Sequence, residues 1–119
     1  MEIGLLIRYG KLVPGREQLA IDLFGDAIVY WGAKAAAGDV TYFEPFFFQT
    51  NDREEETGFF VVKGPMASIF KIMEEDDYLA LTEKAYYVVE HFKVDLLTVG
   101  DGITEQLERS AKVRAELGI

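Results

Sequence analysis

Ile3, Leu5, Ile7 and Tyr9 alternate with Gly4, Leu6 and Arg8, and this period of two predicts a first strand over residues 3–9. Both of its faces are apolar until Arg8, so both are expected to be covered. Pro14 and Gly15 then mark a connection, and the period changes. Ala20, Phe24, Ala27, Ile28, Trp31 and Ala35 recur at steps of three and four, which predicts a helix beginning near Arg16 with Glu17 in its first turn. Gly25 and Gly32 fall together at the edge of that stripe. They provide room for another backbone, or a helix end at Gly32, or one side of a groove for a ligand.

The centre of the chain is TYFEPFFFQTNDREEETGFFVVKG, residues 41–64. Two aromatic and β-branched runs flank the polar, mostly acidic residues 51–56, the pattern of a β-hairpin. In the first arm Phe43, Pro45 and Phe47 alternate with Tyr42, Glu44, Phe46 and Phe48. Alternation alone leaves open which of the two sets would face a partner. Pro45 cannot donate to a ladder, so this strand belongs at a sheet edge or carries a bulge. The second arm, residues 57–63, is expected to stop at Gly64 and Pro65, with Pro65 near the start of the next helix. Met66, Ile69, Phe70 and Met73 keep helical spacing, residues 74–77 break the phase, and Tyr78, Leu81, Ala85, Val88 and Val89 resume it. Two helical pieces follow, with a step at Asp76 and Asp77, either of which can cap the second piece. Residues 92–99 form a fourth strand, and residues 103–117 a charge-rich last helix. Alone that helix would be marginal, so it is expected to lie across the domain or a partner.

Strand–helix–strand–strand–helix–strand is the split βαβ order. The fold class expected is therefore α+β: a ferredoxin-like βαββαβ sheet with helices on one face and an extra C-terminal helix. Residues 1–119 are expected to form a single domain with its core over 3–102. With its elements so placed, the chain resembles the dimeric α/β-barrel superfamily of ferredoxin-like proteins. That group includes antibiotic-biosynthesis monooxygenases, stress-responsive barrel proteins and other small barrels. Local echoes are GDVTYFEPFFF, GFFVVKG and EDDYLALTEKAYYVVEHFKVDLLTVG. The resemblance implies a homodimeric barrel built from two sheets packed face to face, with helices outside. It also implies a cofactor-independent enzyme acting on a hydrophobic, aromatic or polyketide-like small molecule. Haem-degrading members use a histidine on the second helix and an asparagine on the first strand. Residues 66–89 contain no histidine and residues 3–9 no asparagine, so that chemistry does not carry over.

Composition adds a partner and removes others. Half of the 119 residues are hydrophobic and 13% are aromatic. A monomer of this size hides only about 65% of its unfolded surface, so a second copy is the simplest cover for the remainder. With 21 acidic against 12 basic residues the formal net charge is −9, and no basic stripe offsets it. Nucleic acid and anionic membrane surfaces are disfavoured as partners. Cysteine is absent, which removes disulfides and thiolate chemistry. MEIGLLIRYG has no basic n-region and is interrupted by Arg8, so it has the pattern of neither a signal peptide nor a membrane span. The expected location is cytoplasmic.

Candidate chemistry is sparse. His91, the only histidine, stands beside Glu90 at the start of the last strand and is either an acid–base group or a helix-end partner. Glu44 interrupts an aromatic strand. Facing a covered pocket it would become a proton shuttle with a raised pKa, with Arg8 as one counter-charge; facing outward it would guard the sheet edge. Glu44 and His91 are thus the catalytic candidates, and Arg8, Tyr9, Trp31 and Tyr42 the ligand-binding ones. A pocket is expected between the first helix and the sheet, near Trp31 and the Gly25/Gly32 side. No metal or cofactor is expected, because one histidine and the acidic clusters 52–56 and 74–77 match no ligand spacing. The alternative to an enzyme is a non-catalytic ligand-binding or dimeric assembly module.

Overall fold

A computed structural model describes residues 1–49 and 55–119. Strands β1 (Glu2–Tyr9), β2 (Tyr42–Phe47), β3 (Gly58–Pro65) and β4 (Lys93–Thr98) form one antiparallel sheet in the order β2–β3–β1–β4. Helices α1 (Glu17–Ala36), α2 (Met66–Met73) and α3 (Asp76–Val88) cover one of its faces. Helix α4 (Asp101–Leu117) follows β4. Half of the connection between β2 and β3, with most of the acidic cluster 52–56, lies outside the described residues. None of the described helices is long and apolar enough to cross a membrane.

The period of two in β1 explains the layering. Ile3, Leu5, Ile7 and Tyr9 all point at the helices and are buried. Leu5 pairs with Val62 on one side and Leu96 on the other, and Val62 pairs in turn with Phe43. Leu5 and Val62 are fully buried, each contributing about 2 kcal/mol of apolar burial at the centre of the sheet. Pro45 sits on β2, a sheet edge, where its missing N–H costs no ladder bond. β3 runs two residues further than expected: Gly64 and Pro65 still pair with Ile3 and Glu2. Pro65 then caps α2.

Four of the sequence expectations need correction. Gly32 does not end α1, which runs on to Ala36. Both Gly25 and Gly32 face solvent with nothing within 4 Å of where a Cβ would stand, so they form neither a close backbone approach nor a groove. Ala35 is likewise exposed. The step between α2 and α3 comes earlier than Asp76: Glu75 is the cap residue, and Asp76 and Asp77 lie in the first turn of α3. No side chain caps that turn. Finally, α4 does not lie across the domain. Of its residues only Gly102 is buried.

Glu75 has another occupation. Its carboxylate accepts from the Tyr30 hydroxyl at 2.8 Å and pairs with Lys34 Nζ at 2.7 Å, tying the α2–α3 step to α1. The Lys34 and Tyr30 hydrogen bonds hold the Glu75 carboxyl below its ordinary pKa. A depressed pKa in the folded state gives stability that is complete above the ordinary carboxylate range and is lost as pH falls through the depressed value. Glu75→Gln should therefore cost about 1 kcal/mol at neutral pH, as for a half-exposed ion pair with a hydrogen bond. The difference in urea midpoint should close on acidification. Equal midpoints at neutral pH would show that the tie contributes nothing.

Candidate functional site

Helix α2 packs on β1 and β3, whereas α3 packs mainly on α1. The step at Glu75 thus carries the chain off the sheet, and a space opens beneath. Ala20, Phe24, Ala27 and Trp31 of α1 form one wall, and Tyr78, Leu81, Thr82 and Ala85 of α3 the other. Ile7, Tyr9 and Phe60 of the sheet form the floor. The partly open cavity so formed measures about 310 Å³ and its lining is almost entirely apolar.

Aromatic rings dominate this space. Phe24 stacks on Phe47 at 5.3 Å between centroids and lies 5.3 Å from Phe60, while Tyr9 meets Phe60 edge-on at 5.9 Å. Trp31 meets Tyr78 edge-on at 6.1 Å and is only 3% exposed. Such contacts each add about 1 kcal/mol beyond burial and hold the walls in fixed positions.

Tyr9, Thr57, Tyr78 and Thr82 bring polar side chains to the lining, and of these Tyr9 is the one with a buried, unpartnered hydroxyl. It is 8% exposed, and its hydroxyl is buried without a hydrogen-bond partner among the described residues. The hydroxyl lies over Gly58, where a Cβ would come within 2.7 Å of it, so the glycine makes the room it occupies. Burial pushes its pKa above the ordinary tyrosine value, so the group is a protonated donor at neutral pH. The nearby Thr82 hydroxyl is already satisfied, donating to the Leu79 carbonyl at 3.0 Å.

Of the six candidates, the structure brings only Tyr9 and Trp31 together at this cavity. Arg8, Tyr42 and Glu44 lie on the opposite, helix-free face of the sheet, as their alternation with Tyr9 and Phe43 requires. Arg8 is not the counter-charge of Glu44: it pairs with Asp95 at 2.6 Å and Glu56 at 3.5 Å. Glu44 is exposed near the sheet edge and accepts a hydrogen bond from Tyr42, which raises the Tyr42 pKa. Lys63 Nζ stands 4.3 Å over the Tyr42 ring. His91 is exposed in a turn at φ 54°, beside a shallow depression it shares with Val13 and Tyr86. The second wall, α3, was visible as a helical stripe, but its departure from the sheet had no signal in the spacing.

The helix-free face is apolar where it is not charged. Leu6, Val61, Phe59, Phe46 and Leu97 are half-buried there, and no helix or strand among the described residues covers them. Phe46 stacks on Phe59 at 5.0 Å, and Phe48 tilts against the same ring at 5.5 Å.

The sequence matches no protein-family model and no curated protein. Solved structures do match. A dimeric ferredoxin-like protein of unknown function from Jannaschia sp. CCS1 superposes with a TM-score of 0.65 at 13% identity, covering 83% of this chain and 100% of that one. A dabb family protein with a ferredoxin-like fold from Mesorhizobium loti gives 0.59 at 15% identity, covering 84% and 100%. The chain has a ferredoxin-like fold. A mutant of SnoaB, a cofactor-independent oxygenase from Streptomyces nogalater, is a third similar structure, with a TM-score of 0.60 at 9% identity, covering 82% of this chain and 92% of that one. At such identities the likeness shows the ferredoxin-like fold alone. Helix α4, beyond the βαββαβ order, is this chain's addition to that pattern.

Proposed function

We propose that the protein binds a neutral, hydrophobic, ring-bearing small molecule in the cavity between α1, α3 and the sheet, with Tyr9 donating its one hydrogen bond. The carrying observation is the buried Tyr9 hydroxyl, without a partner among the described residues, at the edge of an apolar, aromatic space. An unpartnered buried hydroxyl costs the fold about 1–3 kcal/mol, which a ligand oxygen would return. Among the described residues no charged side chain lines the cavity, so a charged ligand would enter unpaired. The open sheet face is in this reading covered by a second copy of the chain. Its uncovered aromatic surface supports that, as does the description of similar structures as dimeric.

A second reading, catalysis on the bound molecule without a cofactor, is favoured by the likeness to SnoaB. Glu44 and His91 stand outside the cavity, so the substrate's own acidity would have to supply the reacting anion. Tyr9 would then donate to its negative oxygen, where removing a single donor costs about 100-fold or more in rate.

The test is a panel of neutral two- and three-ring ketones and hydrocarbons, followed through the fluorescence of Trp31, the only tryptophan. Ketones and hydrocarbons should both quench it. Tyr9→Phe should weaken the ketones about tenfold, the worth of one hydrogen bond, and leave the hydrocarbons unchanged. Absence of quenching by the whole panel, or equal ketone affinity in the variant, would overturn the assignment.

A further inference from the structure

Of the described residues that line the cavity, only Ile21 and Phe47 are exposed, so its mouth lies where they stand. On α1, Tyr30 and Lys34 turn to the α3 side, where Glu75 holds them. At about 100° per residue, Ile21 falls on the other side of the Phe24 stripe, toward β2. The mouth therefore opens between the start of α1 and the end of β2. Trp31 lies two turns beyond Phe24 along α1, about 10 Å deeper.

One ring stands across this mouth. Phe47 is 65% exposed, yet its ring stacks on Phe24 and meets Tyr9 edge-on at 6.4 Å. Its neighbour across the ladder is Gly58, which offers no side chain, and on its other flank β2 is the edge of the sheet. Gly58 also decides where the ring lies. A Cβ there would come within 2.9 Å of Phe47 Cδ1 and 2.7 Å of the Tyr9 hydroxyl. The ring thus leans into the space the glycine leaves, over the hydroxyl that shares it. Turning it outward breaks one ring stack and meets no further strand, and such rotations are fast for an exposed side chain.

We propose that Phe47 is the gate of the cavity: its ring closes the mouth against Phe24 and swings out over the sheet edge to admit a ligand, baring the Tyr9 hydroxyl as it goes. The gate rests on the cavity's being a binding site, and adds that one side chain sets access to it. The mouth is open about a tenth of the time, the population that one aromatic stack leaves to the alternative. Association is slowed by that fraction, and dissociation likewise once the ring has closed over the bound molecule.

Two measurements on Trp31 fluorescence test it. Acrylamide, a small neutral quencher, should reach Trp31 several-fold faster in Phe47→Ala than in the unaltered protein. Phe48→Ala removes a ring on the opposite face and should leave acrylamide quenching unchanged. In stopped flow, Phe47→Ala should raise the association and dissociation rates of the ring compounds about tenfold each, so that affinity moves far less than either rate. A ring that merely lined the wall would change dissociation and affinity and leave association as it was. Phe47→Leu keeps the apolar cover without the stack and gives the same test if the alanine variant loses its circular dichroism. Aspartate would not serve, because its carboxylate accepts the Tyr9 hydrogen bond and blocks the site. Unchanged acrylamide quenching and unchanged association in Phe47→Ala would overturn the gate and leave the binding site standing. If no ring compound binds either protein, the site reading falls, and the acrylamide comparison alone decides whether Phe47 closes the cavity.

Discussion

Replacing Trp31 by alanine should destabilise the protein by about 3–5 kcal/mol, the largest loss expected from any single truncation in this chain. Trp31 is 3% exposed and joins three layers at once. It stacks on Phe43 of the edge strand at 6.5 Å, meets Tyr78 of α3 edge-on, and meets its neighbour Tyr30 edge-on at 5.3 Å. Tyr30 in turn donates to Glu75 at the α2–α3 step. Removing the indole enlarges a cavity that is already about 310 Å³, so the walls can relax only by letting α3 drop toward the sheet. Domains of this kind have about 5–15 kcal/mol to lose, so the variant should be near unfolding at physiological temperature. Urea denaturation followed by circular dichroism measures this without the lost fluorophore. Trp31→Phe, which refills most of the volume, should recover more than half of the loss. A midpoint unchanged by Trp31→Ala would mean that α3 does not depend on α1 for its position.

The same residues show how far the sequence could be read. Element order, the edge position of the Pro45 strand and the buried set Ile3, Leu5, Ile7 and Tyr9 all follow from periods of two and 3.6. Grouping Arg8 with Tyr9 in one pocket contradicted that same period, because adjacent strand residues point to opposite faces. Glu44 shares the face of Arg8, and neither reaches the helices. The step between α2 and α3 was ambiguous for a different reason. Glu74, Glu75, Asp76 and Asp77 are four consecutive acids, and spacing cannot say which one leaves the helix to bind Tyr30 and Lys34. Gly25 and Gly32 sat close enough to the apolar stripe to suggest a groove, yet a small rotation places them in solvent. The cavity itself depends on α3 resting on α1 rather than on the sheet, a tertiary choice that no local pattern encodes.

Alternation left open which arm of the Phe46–Phe47–Phe48 run meets a partner, and the structure turns that question into a decisive variant. Phe47 stacks on Phe24 at the cavity, whereas Phe46 and Phe48 both lie against Phe59 on the helix-free face. Phe59→Asp should therefore abolish association through the sheets. By two-fold symmetry each such variant buries two carboxylates in an apolar interface, at several kcal/mol each. A total of about 4 kcal/mol already weakens a dimer roughly a thousandfold. Within the monomer the new carboxylate is tolerable, because Arg8 lies directly across from residue 59 on β1. Light scattering should give twice the chain mass for the unaltered protein and the chain mass for Phe59→Asp, with circular dichroism unchanged. Phe47→Asp should leave the dimer intact and instead abolish quenching of Trp31 by the ring compounds. A Phe59→Asp variant that remains dimeric, or an unaltered protein already monomeric, would remove the second copy from the open face and leave that aromatic surface to another partner.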